Sequence, residues 1–212
     1  MPLPTDPHVI TSPTENSTVA SQFSAYGTCS AIGDGCTISA ELQCADWSNP
    51  VGSSSLSTDT TNLTWEALFM QVPSGTSVEL VVTCTTPGDP RGTKEYRVKG
   101  LTTGSTLVAV TKPPNGGQFA DWGDHIMAGS YPSGYTVTTF VTQSGTQLPA
   151  PVTDGIPDSP PSKQAGYQKK LYKLVNENVC CGSNLVAHLE ATDENNKKYY
   201  ASSGLFTVNK TG

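Results

Sequence analysis

The side chains best suited to chemistry in this 212-residue chain are six cysteines, at positions 29, 36, 44, 84, 180 and 181, and three histidines, at 8, 125 and 188. Thiols can pair, ligate a soft metal or act as nucleophiles. Zinc is the sharpest reading for so many of them. Zinc-binding chains, however, bring their ligands in close pairs such as C-x-x-C, and no such pair is present. Cys180 and Cys181 are adjacent, so they either close a strained vicinal ring or look elsewhere for partners. Cys36 and Cys44 share one face of a predicted strand. Eight residues of strand separate them by about 26 Å, far beyond the roughly 7 Å between Cα atoms that a disulfide allows. A cysteine nucleophile needs a histidine beside it, and the strand pattern places none near Cys29 or Cys84. Asp121, Asp124 and His125, with Trp122 alongside, could hold a cation, but a polar turn leading into a strand explains them as well. The segments "DPRG" (89–92) and "TDENN" (192–196) read as hairpin loops, and the second lacks the spaced carboxylates of a calcium loop. With no Gly-rich phosphate loop, G-x-S-x-G elbow or H-E-x-x-H, no enzyme, metal or cofactor is expected.

Aromatic side chains are the other candidates. Trp47, Trp122, Tyr131, Tyr135, Tyr199 and Tyr200 could form a platform for sugars if their rings were exposed and coplanar. Trp65 falls within "LTWEALF" and reads as core. Trp47 and Trp122 lie at strand ends, where capping a sandwich is the plainer role.

The elements that would position these groups repeat. "TSPTENSTVA" (11–20) aligns with "TKPPNGGQFA" (111–120), and "FSAYGTCS" (23–30) with "HIMAGSYP" (125–132). "TWEALFMQVPSGTSVELVVTCTT" (64–86) aligns with "LYKLVNENVCCGSNLVAHLEATD" (171–193), and "GTKEYRVKG" with "KKYYASSGLFTV". Four blocks in one order, about 100 residues apart, describe a duplicated unit. The strings "QCADW" (43–47) and "QFADW" (118–122) fall out of register and match by chance. In the late strands the period is two. Val78, Leu80, Val82 and Cys84 point inward, as do Leu185, Ala187, Leu189 and Ala191, while Val186, His188 and Glu190 face solvent. Several short alternating strands per hundred residues, with turn signals every 8–12, predict an all-β sandwich in each copy.

The opening "HVITSPTENSTVASQFSAYGTCS" and the later "W…VPSGTSVELVVTC" resemble the bacterial and phage immunoglobulin-like domains. The resemblance implies two tandem Ig-like sandwiches, residues 1–100 and 101–212. Residues 1–8 would form an extended arm able to add a strand to a neighbour's sheet edge. The short connection near Gly100–Leu101 predicts an elongated, stiff tandem. The resemblance also implies that the strands of Cys29 and Cys84 face each other across the core. A Cys29–Cys84 bridge is then the first choice, stabilising by about 4 kcal/mol, with Cys29–Cys36 the competing pair. Copy two has Tyr131 and Ala191 at the matching positions, so that bridge is not shared. Residues 143–166 form a proline-rich insertion that includes Pro149, Pro151 and Pro160. It is either a loose loop or a contact arm for a neighbour.

Composition bounds the function. The net charge is −6, and the excess lies wholly in residues 1–100, which hold ten acidic and four basic residues. An acidic chain without a basic stripe is a poor partner for nucleic acid, and no apolar run is long enough to span a bilayer. "MPLPTDPHVI" has the form of no signal peptide, which leaves a signal already removed or export by another route, such as on a phage particle. The expectation is a non-enzymatic structural protein outside the cell, on a cell surface or on a virion surface. It would meet copies of itself or a larger assembly through protein–protein contacts, with Trp47, Trp122, Pro149, Pro151 and Pro160 as contact candidates. The alternative is a glycan-binding adhesin module.

Overall fold

The computed structural model describes residues 8–87, 93–122, 126–149, 164–170, 175 and 181–209. These are all-β apart from one 3₁₀ turn, Ser30–Asp34. The first half is a sandwich. One sheet orders β1 (His8–Ser12), β3 (Phe23–Cys29), β7 (Thr64–Phe69) and β6 (Ser55–Asp59). Facing it are β4 (Thr37–Gln43), β5 (Val51–Gly52), β8 (Gly75–Thr85) and β9 (Thr93–Ser105). The alternation read from "VELVVTC" holds: Val78, Leu80, Val82 and Cys84 enter a core that also contains Phe23, Trp65 and Phe69. Burying such large apolar side chains, at ~1.5–3 kcal/mol each, is what holds the two layers together.

The second half repeats the plan. A three-stranded sheet of β10 (Ala109–Lys112), β12 (Ile126–Pro132) and β15 (Gln164–Lys170) faces β13 (Thr136–Gln143), β14 (Thr146–Gln147), β16 (Gly182–Thr192), β17 (Lys198–Ser202) and β18 (Phe206–Val208). Leu185, Ala187, Leu189 and Ala191 point into this second core, where Tyr131 also lies. The repetition reaches detail. The β1–β3 ladder is bulged between Ile10 and Ser12, and the β10–β12 ladder between Val110 and Lys112. A glycine sits beside each bulge because nothing larger fits: a Cβ on Gly27 would stand 2.0 Å from the Val9 carbonyl oxygen, and one on Gly129 2.2 Å from that of Ala109. In each half a short strand then changes sheet. β2 (Thr18–Ala20) runs parallel to β9, and β11 (Gly117–Phe119) runs parallel to β18.

The halves do not form an elongated tandem. β2 pairs with β9 on one side and with β17 of the second half on the other, so a single eleven-stranded sheet runs through both. Successive side chains at this joint serve different interiors. Val19 and Tyr200 enter the first core, whereas Ala20 and Tyr199 enter the second. The first half continues past Gly100–Leu101. The β9 strand runs to Ser105, with Leu101 and Thr103 still paired to β8.

Candidate functional site

Docking the halves covers a second face of the β1-β3-β7-β6 sheet. Every residue of β7 is buried. Trp65, Ala67 and Phe69 fill the first core, so the alternate residues Thr64, Glu66 and Leu68 must face the other way, toward the second half. Glu66 is 2% exposed and His188, on β16, is 3% exposed. The expectation that His188 faces solvent is therefore corrected. Its strand parity was read properly, but the outward face of β16 is covered by β3 and β7 rather than by water.

The Glu66 carboxyl is the node of this joint. Oε1 accepts from Ser24 Oγ at 2.5 Å, and Oε2 accepts from the Gly145 backbone N–H at 2.9 Å. Thr142 Oγ1 lies 2.9 and 2.8 Å from the two oxygens, and His188 Nε2 is 3.1 Å from Oε1. Thr142 Oγ1 is also 2.7 Å from His188 Nε2. All these contacts are satisfied if Nε2 carries the imidazole proton and Thr142 donates to Glu66 while accepting from His188. Rings enclose the node. His188 stacks on Phe140 at 4.8 Å, and Tyr26 meets His188 edge-on at 5.3 Å. Tyr26 donates its hydroxyl to Glu190 at 3.3 Å. Burial, reinforced by the Glu190 carboxylate, drives the Tyr26 phenol far above its ordinary value.

Further bonds close the rim. Thr64 Oγ1 donates to the Ser144 carbonyl at 2.9 Å and lies 2.8 Å from Thr146 Oγ1, while Gln22 Nε2 donates to the Ser202 carbonyl at 2.9 Å. Gly145 is required here twice over. Its φ is +84°, and a Cβ would come within 2.2 Å of the Trp65 carbonyl oxygen. Glu, His and Thr together suggest acid–base chemistry, but these side chains are too deeply buried to meet a substrate while the halves are docked. Sequence reasoning missed Glu66. The available signal was a lone carboxylate in the middle of the otherwise apolar strand "TWEALF", which requires buried partners.

The second cluster lies at one end of the first core. Cys29 ends β3, Cys84 lies near the end of β8, and Cys36 immediately precedes β4. Cys29 Sγ stands 3.5 Å from Cys84 Sγ and 3.9 Å from Cys36 Sγ. The expected neighbours are thus adjacent, but they are free thiols: an S–S bond is about 2.05 Å long. Burial pushes all three thiols above the ordinary cysteine value. Cys44 is remote from them, its thiol facing the Thr76 carbonyl at 3.5 Å. Cys181 is half-buried ahead of β16, and Cys180 lies outside the described residues.

The remaining candidates do not converge. Trp122 is buried in the second core. Trp47 is half-buried against the first, its Nε1–H aimed at the Ser74 carbonyl at 3.4 Å. Tyr131, Tyr199 and Tyr200 are buried as well, so these aromatics do not make one exposed sugar platform. Asp193 in "TDENN" spends its carboxylate on its own turn, accepting from the Asn195 and Lys197 backbone N–H groups at 2.8 and 2.9 Å. Asp121 and Pro149 are exposed. Asp124, His125, the loop 89–92, Pro151, Pro160 and residues 1–7 of the proposed arm lie outside the described residues. Among those described, no helix is long and apolar enough to cross a membrane. No protein-family model matches the chain, and no curated protein matches it.

Proposed function

We propose that the chain is a non-enzymatic structural protein, two Ig-like sandwiches that build or decorate an extracellular, cell-surface or virion assembly through protein–protein contacts. The observation that carries this reading is the buried Glu66 node. Its polar groups are consumed in fixing one half against the other, which makes a rigid block rather than two beads on a string. Rigid blocks suit lattices and fibres, because docking a preorganised body loses less conformational freedom on assembly. Acidic, Ser/Thr-rich surfaces and loops remain for contact with neighbours.

The test is negative-stain microscopy of the native source material with antibody labelling of this chain, alongside sedimentation of the purified protein. Label on regular particles, fibres or a surface layer is the expected result. Label on no assembly, together with saturable binding on a glycan array, overturns it in favour of an adhesin.

A further inference from the structure

The three thiols at the end of the first core have the geometry of a metal site. Four thiolates arranged tetrahedrally about zinc at about 2.3 Å stand about 3.8 Å from one another. Cys29 Sγ lies 3.5 and 3.9 Å from its two neighbours, and all three sulfurs fall within 4.8 Å of one another. Two of the three sulfur–sulfur distances therefore match the edges of a thiolate tetrahedron, and the third lies within 4.8 Å, a gap that side-chain adjustment can close. The backbone is also built to hold them there. Cys29 and Cys84 project from facing sheets, and the 3₁₀ turn returns the chain so that the Cys36 N–H bonds the Ala31 carbonyl at 3.1 Å.

We propose that Cys29, Cys36 and Cys84 bind one thiophilic divalent cation, zinc in the first instance, as three thiolates. Three protein ligands leave a fourth position for water. Binding displaces up to three thiol protons into solvent. The ion ties the two sheets and the 3₁₀ turn together at the place where a disulfide would join only two of these three residues. The site does not depend on the function proposed above.

The test uses the full chain, purified under reducing, anaerobic conditions. Its zinc content is measured by mass spectrometry, and Cd²⁺ titration is followed through the thiolate-to-metal charge-transfer band. One metal per chain is expected, with a rise in the thermal midpoint on loading. C36S, which alters the least buried ligand, is expected to weaken Cd²⁺ binding by about 100-fold or more and to lose that rise. C44S, at the far end of β4, is expected to keep both. Equal Cd²⁺ binding by wild type and C36S overturns the proposal. A Cys29–Cys84 or Cys29–Cys36 disulfide, mapped in protein alkylated directly in the source lysate, also overturns it.

Discussion

Replacing Glu66 with Ala would remove the acceptor that the two halves share. Ser24 Oγ and the Gly145 N–H would each lose the acceptor they reach at 2.5 and 2.9 Å, and His188 Nε2 would keep only Thr142. Each buried donor left unsatisfied costs about 1–3 kcal/mol. Two are orphaned here beside the cavity left by the missing side chain, so E66A is expected to lose about 3–5 kcal/mol in all. For a chain of this size that corresponds to a fall of roughly 6–20 °C in Tm. E66Q keeps the shape but turns one acceptor into a donor facing other donors, and should lose about 1–3 kcal/mol. The assay is urea unfolding followed by tryptophan fluorescence. Trp47 and Trp65 belong to the first half and Trp122 to the second, so a W122F background reports the first half and a W47F/W65F background the second. Wild type should unfold in one coincident transition, and E66A in two separated ones. A loss below about 1 kcal/mol for E66A, with the transitions still coincident, would refute the view that this carboxylate fixes the joint.

Three further outcomes are expected. G145A places a methyl group against the Trp65 carbonyl and forces a left-handed φ; it should destabilise by more than about 1 kcal/mol, whereas G134A, where a Cβ meets nothing within 4 Å, should show only the cost of its positive φ. The Asp59 carboxyl is held below the usual carboxylate range by the side chain and backbone N–H of Asn62 and by the Thr61 N–H. Its contribution to stability is therefore complete above the unfolded value of about 3.9 and is lost as pH falls through the lower folded value; acid titration of stability in D59N should be flatter over that window. In reduced, metal-free protein the raised thiols of Cys29, Cys36 and Cys84 should alkylate slowly at neutral pH and faster as pH rises, because the thiolate is the reacting form; peptide mapping after timed labelling measures each site.

Much of each half was legible in the sequence. Parity in "VELVVTC" and "NLVAHLEAT" assigned the inward residues, because a pleated strand has only two faces and only one of them was apolar. The repeat aligned the first strands of the two halves, although their bulges appeared only in the structure, and parity turned Cys29 and Cys84 inward while the family resemblance implied that their strands face each other. Cys36 joins them only because the 3₁₀ turn reverses the chain between β3 and β4. Cys36 is already the competing partner of Cys29 in the sequence, but spacing along the chain could not show all three thiols within 4.8 Å of one another.

What the sequence determined alone is the set of alternating strands, since local sterics and the burial of one face are properties of each segment. Tertiary structure decided what lies against the other face. Glu66 and His188 occupy outward positions by parity, and an outward position in one half is wet unless something docks there. The β2 strand, paired on both its edges, brings the second half onto that face, and a polar residue then needs a partner 122 positions away. A period of two records that a side chain points out of a core, but it carries no information about whether water or another sheet is waiting there.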